Sequence, residues 1–302
     1  MHRRTPLPPI LVWGPFTPRE ARDRGVSRKR MRSSDLASPF YGVRAQAGAE
    51  SLIDRCEAWA ARMPSAPVFS HVTAAQLHGI PLPRRMSESA ALHVTVVKPV
   101  RTPRAVGIVG HTSDSLPDVV LIDGLAVFGP AQTWCQLAPM LGLDEMVAAG
   151  DRVIGLPTPL ATADQLASAV RAYAGHRHAK KLRAAFELVR PRVESPRETR
   201  LRLLLIRAGF PEPETNRPIP LLPGRKPARG DLMYPQYKVL VEYDGQQHRT
   251  DEAQYQRDVE RLADIAEAGW INVRVLKGMS DATVLANVER ALRSRGWRGE
   301  RS

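Results

Sequence analysis

The chain has 302 residues, 43% of them hydrophobic and 25% charged, enough for two or three domains with real cores. Its 44 Lys and Arg against 31 Asp and Glu leave a formal charge of +13, which points to a polyanion, nucleic acid first, or to an Arg-rich solvated surface. Two cysteines outside any CxxC pattern argue against a disulfide framework and a structural zinc site. No apolar run reaches the roughly 20 residues of a membrane span, and Met1–Pro6 lacks the apolar core of a signal peptide, so a soluble cytoplasmic protein with no membrane partner is expected.

The first segment, residues 1–46, is expected to read DNA. Thr17 can cap a helix with Pro18 first in it and Glu20 completing a capping box; Gly25 suits a tight turn and Ser27 can cap a second helix. Helix, short turn and basic helix describe a helix-turn-helix, with residues 38–44 as a β-wing. Arg28, Lys29, Arg30, Arg32 and Arg44 are candidates to grip phosphates, against the plainer alternative of a charged solvent face.

The second segment, residues 47–190, opens with an amphipathic helix over 52–60 and has a strand around 92–97, suggesting a small α/β module without chemistry of its own. His71, His78, His93 and His111 are scattered through it. No acid or cysteine accompanies them at a ligand spacing, so satisfied or exposed imidazoles are the expectation.

The third segment, residues 191–302, carries the strongest signal. Ser195 and Pro196 start a helix that Gly209 ends; two strands over 230–244 joined by a Pro turn follow, then a helix near 254–268, a strand over 270–276 and a last helix near 281–293. The order α-β-β-α-β-α suits a mixed sheet flanked by helices. Alternation puts Leu240, Glu242 and Asp244 on one face of their strand and Val239, Val241 and Tyr243 on the other. Asp231 opposes these acids and His248 follows them. Crowded carboxylates repel unless a cation or shared proton neutralises them, which suggests a divalent-metal site for phosphodiester hydrolysis.

The set Glu194–Arg202, Asp231-Leu232, Glu242–His248 and Gly269-Trp270 leading to Arg274 resembles the PD-(D/E)XK nuclease superfamily, in its very-short-patch-repair branch, over about the last 110 residues. More diffusely, the upstream segments resemble an AbiEi-type antitoxin module, of which residues 17–44 would be the winged helix-turn-helix. The first resemblance implies a restriction-endonuclease-like domain in which Asp231 and Glu242 hold Mg²⁺ or Mn²⁺ and Glu198 approaches the metal from its helix, or merely caps that helix. Asp244 stands where the superfamily usually has lysine. It would be a further metal ligand, and His248 would take the acid–base role unless it is an ordinary exposed histidine. From helix spacing, Arg257 and Arg261, one turn apart after the site, are candidates to contact DNA phosphates or merely to flank Asp258 in surface pairs. Strand alternation puts Arg274 on the Leu276 face toward the acids, as a further DNA-contact candidate. The resemblance thus implies a metal-dependent DNA endonuclease, with a homodimer as one allowed assembly. The alternative is a non-catalytic, antitoxin-like transcriptional regulator whose nuclease domain has degenerated.

Overall fold

The computed structural model describes residues 5–48, 50–63, 67–244 and 252–299. It is mixed α/β and divides into two compact units, Met1–Leu137 and Ala138–Ser302.

In the first unit, α1 (Pro18–Asp23) has the expected capping box: Glu20 N donates to Thr17 Oγ1 at 3.2 Å and Thr17 N to the Glu20 carboxylate at 2.7 Å. The expected second helix is instead one 3₁₀ turn, Arg30–Arg32, for which Ser27 Oγ accepts from Arg30 N. A run this short makes few helical bonds for its nucleation cost, and Met31 anchors it in a small cluster with Leu11, Phe16, Ala21 and Val26. The wing is reduced to two-residue strands, β1 (Leu36–Ala37) and β2 (Ala45–Gln46), with residues 38–44 as the loop between them.

The unit continues with α2 (Leu52–Ala60), β3 (Val68–Phe69), α3 (His71–His78), α4 (Arg84–Ser87), β4 (Leu92–Val97), β5 (Ile108–Ser113), β6 (Val119–Ile122), β7 (Leu125–Phe128) and α5 (Pro130–Gln136). Its five-stranded sheet runs β5-β4-β3-β7-β6, with β4 parallel to β5 and β3 antiparallel to β4. Trp59, Phe69, Leu92, Val94 and Val127 fill the core beneath it.

The second unit begins with α6 (Leu143–Ile154), α7 (Ala163–Ala172), α8 (Ala179–Leu188) and α9 (Pro196–Arg207). The first three, expected to lie in the middle segment, fall in this unit, and α6 packs on α8 and α9. A buried ion pair joins α6 to α9: Arg202 Nη2 donates to Asp151 Oδ2 at 2.9 Å, and both side chains are at most 1% exposed. Asp151 also accepts from Arg190 N and from Thr199 Oγ1, each at 2.7 Å.

Next come β8 (Glu214–Ile219), β9 (Ala228–Tyr234), β10 (Val239–Asp244), α10 (Glu252–Glu267), β11 (Ile271–Leu276) and α11 (Asp281–Ser294). The sheet order is β11-β10-β9-β8, with β10 parallel to β11 and the other pairs antiparallel. β8 is absent from the expected order because its sequence holds Asn216 and Pro218, residues that ordinarily argue against a strand. It is an edge strand, where a missing N–H is tolerated. Strand alternation sorts the core. Leu232, Tyr234, Val239 and Val241 pack with Leu201, Leu205, Val284 and Val288 of α9 and α11, whereas Met233 and Leu240 pack with Ile265 of α10.

Candidate functional site

Because residues of one parity face α10, Asp231, Glu242 and Asp244 emerge together on that side of the sheet. Glu242 lies opposite Arg274 in the β10–β11 register and Asp244 opposite Leu276. β9 and β10 pair through Leu232 and Val241, which leaves Asp231 one step on, where its Oδ2 accepts from Tyr243 N at 2.9 Å. The three acids line a cleft of about 250 Å³ with Asp258, Arg261 and Arg274.

Each carboxylate has a different partner. Glu242 is ion-paired with Arg261 of α10 and accepts from Asn272 Nδ2 at 2.7 Å. Asp244 is ion-paired with Arg274. Glu198, buried in the first turn of α9, accepts from Asn216 Nδ2 at 2.6 Å and Glu194 N at 3.1 Å, while its own N–H donates to Ser195 Oγ at 3.3 Å. It therefore serves the helix start, and its charge also acts on Asp231. Burial pushes the Asp231 carboxyl up to about 7, reinforced by the charges of Glu198 and Glu242 and opposed by the Tyr243 N–H and Arg261. Burial also raises Glu198.

The structure thus brings together Glu198, Asp231, Glu242, Asp244 and Arg274. Arg257 is exposed on α10, and His248 lies outside the described residues. In the first unit, Arg28 and Lys29 are exposed. Arg30 and Arg44, expected to grip phosphates, have internal partners instead. Arg30 makes two bonds to Asp35, at 3.0 and 2.7 Å, and Arg44 Nε donates to Met31 O at 2.9 Å. Such bonds hold a guanidinium in place against the short β-hairpin and its 3₁₀ turn.

Asn272 and Asn216 escaped the sequence reading, and Arg261, expected to meet phosphates or to flank Asp258 in a surface pair, is paired with Glu242. Asn272 shares strand parity with Arg274, a usable signal once the parallel register is known; nothing local marks Asn216. The histidines need a correction. His78 is satisfied, its Nε2 lying 2.7 Å from Phe128 O, but His71, His93 and His111 converge with ligand atoms within 4.8 Å of one another. Sequence spacing missed this because parallel strands and a helix start bring them together.

Among known proteins, the chain is 26% identical over 247 residues to the uncharacterized proteins MT2308 and Rv2248 from two strains of Mycobacterium tuberculosis, covering 82% of this chain and 88% of each relative. No protein-family model and no solved structure matches it. Among the described residues, no helix is long and apolar enough to cross a membrane.

Proposed function

We propose that the second unit is a metal-dependent DNA endonuclease, hydrolysing phosphodiesters with Mg²⁺ or Mn²⁺. The observation that supports it best is the convergence of Glu198, Asp231 and Glu242 from three different elements, with Asp231 held near pH 7 by burial and by the other two. Crowding acids in a partly buried cleft is costly, and a hard divalent cation relieves that cost.

The donor set fits such a cation. Asp231, Glu242 and Asp244 offer carboxylate oxygens to one cleft. Asp231 and Glu242 would hold the ion, which when bound supplies Lewis-acid polarisation of a phosphate and a more acidic water. Asn272 orients Glu242, and Asn216 with the Glu194 N–H orients Glu198. Arg261 and Arg274 bring guanidinium groups to the same cleft, where they can meet phosphate oxygens by exchanging carboxylate for phosphate partners. A guanidinium does not release its proton, so Arg274 can stand in for the charge of the missing lysine but not for proton transfer. In this reading that role falls to His248. The net charge of +13 suits a DNA partner, and a cytoplasmic location fits it. Nicking needs one cleft; cutting both strands would call for a homodimer.

A second reading has its own observation. Glu242 and Asp244 each already have an arginine partner, an arrangement that also neutralises a site retired from catalysis. The alternative is then an antitoxin-like DNA-binding regulator. Incubating the purified chain with supercoiled plasmid and Mg²⁺ or Mn²⁺, beside Asp231→Ala and Glu242→Ala, separates the two. The endonuclease reading expects metal-dependent nicking that falls at least about 100-fold in both variants, as loss of a residue essential to charge stabilisation does. Nicking absent from all three proteins, or equal in all three, favours the regulator.

A further inference from the structure

The first unit contains three imidazoles with no role in the site above. His93 on β4 and His111 on β5 share a sheet face, because Thr95 pairs with His111 and His93 with Val109 in the parallel register. His71 opens α3 directly after β3, whose continuation bonds β4 through Ser70 N to His93 O at 3.0 Å. His93 Nδ1 lies 3.0 Å from His111 Nε2, and the His71 and His111 rings stack with centroids 3.6 Å apart.

The surroundings fix the backbone that carries two of these rings. His71 sits at φ +49°, a left-handed conformation that a residue with a Cβ seldom adopts. Its N–H donates to Gln136 Oε1 at 3.0 Å, and Ser70 Oγ lies 3.0 Å from its Nδ1. The His93 N–H donates to Thr73 Oγ1 at 2.8 Å. Strain held by several neighbours is what a functional position shows. Burial, and the proximity of the rings to one another, push His71 and His93 down, and burial lowers His111. Histidine binds a metal ion in its neutral form, which this burial favours.

We propose that His71, His93 and His111 bind a borderline divalent transition-metal ion of the Zn²⁺ class, with a fourth position open to water. Tetrahedral Zn²⁺ with bonds of about 2.0–2.1 Å spaces its nitrogens by about 3.3 Å. The ligand atoms here span 3.0 Å to within 4.8 Å, so a modest closure completes the shell. The Ser70 contact at Nδ1 leaves His71 Nε2 as its ligand atom, in the manner of an outer-shell partner that orients a histidine. Stacked rings aim their lone pairs in parallel, so binding must rotate His71 off His111. An all-imidazole donor set selects against Mg²⁺, which keeps this site chemically separate from the acidic cleft.

The test uses the full-length chain without an affinity tag, stripped with a chelator and titrated with Co²⁺ as a spectroscopic probe. The expected result is the strong visible absorption of four-coordinate Co²⁺, saturating at one ion per chain, bleached by Zn²⁺ and untouched by excess Mg²⁺. His71→Gln and His111→Gln should each weaken Zn²⁺ binding at least as much as the roughly 10–100-fold that loss of an outer-shell partner costs, whereas Asp231→Asn should leave it unchanged. A weak, six-coordinate Co²⁺ spectrum in the unsubstituted chain would overturn the proposal even if the variants fail to fold. Strong bands that persist in both histidine variants would overturn it as well.

Discussion

Replacing Asp231 with asparagine removes a charge and leaves the shape of the side chain almost intact, so it isolates the electrostatic state of the acidic cleft. In the fold the carboxyl titrates near 7, against 3.8 for an unperturbed aspartate, and burial is the first cause. The native state therefore holds this proton more tightly than the unfolded chain does. For a raised acid the sign is a loss of stability as pH climbs. Below about 4 the group is protonated in both states and costs nothing; between about 4 and 7 it removes up to about 1.4 kcal/mol per pH unit, and above 7 the loss is level. Three units correspond to about 4 kcal/mol, an upper value because the cleft is open to water on one side. Asparagine cannot ionise, and its amide oxygen can keep the bond from Tyr243 N. Asp231→Asn should thus match the parent chain near pH 4 and exceed it by about 2–4 kcal/mol at pH 8. Removing one charge also eases ionisation of Glu198, which acts in the same direction. Urea unfolding at the two pH values measures the difference, with β9 and β10 peptides resolved by pulsed hydrogen exchange so that the two units are read separately. An equal difference at both pH values, or a less stable variant at pH 8, would refute the reasoning. Mg²⁺ supplies a control under the nuclease reading: at 100 times its dissociation constant it should stabilise the parent chain by about 2.7 kcal/mol at pH 8 and the variant far less.

Two further substitutions test the framework that holds the cleft. Arg202→Met leaves Asp151 buried with an uncompensated charge and should cost about 3–5 kcal/mol in urea unfolding, while the double change Asp151→Leu, Arg202→Met should recover most of it. A single variant as stable as the double one would contradict this. Gly230→Ala places a Cβ 2.1 Å from the Leu240 methyl carbon, in a packed layer under α10. A cost of about 1–3 kcal/mol is expected in thermal unfolding, eased when Leu240 is trimmed to Val; an unchanged midpoint would show that the layer is looser than its geometry.

Short-range rules account for what was legible in the chain alone. The Thr17 capping box, the strand over 271–276, the α11 boundaries and the common face of Glu242 and Asp244 all follow from caps and from periods of 2 and 3.6 residues, which act within a few positions. Whether Ser27 starts a helix or a single turn was not legible, since an anchored Met31 and the neighbouring hairpin decide it. Nor was β8, whose Asn216 and Pro218 read as a loop until an edge position admits them. The same limit governs the sites. The chain by itself determined which carboxylates leave β10 on one side. Only the tertiary structure decided that Arg261 would pair with Glu242 rather than with Asp258 on its own helix, that Asp231 would be buried enough to hold its proton near 7, and that three histidines from separate elements would meet. Those outcomes depend on strand register and burial, which are set by contacts between residues far apart in sequence and leave no periodic trace in it.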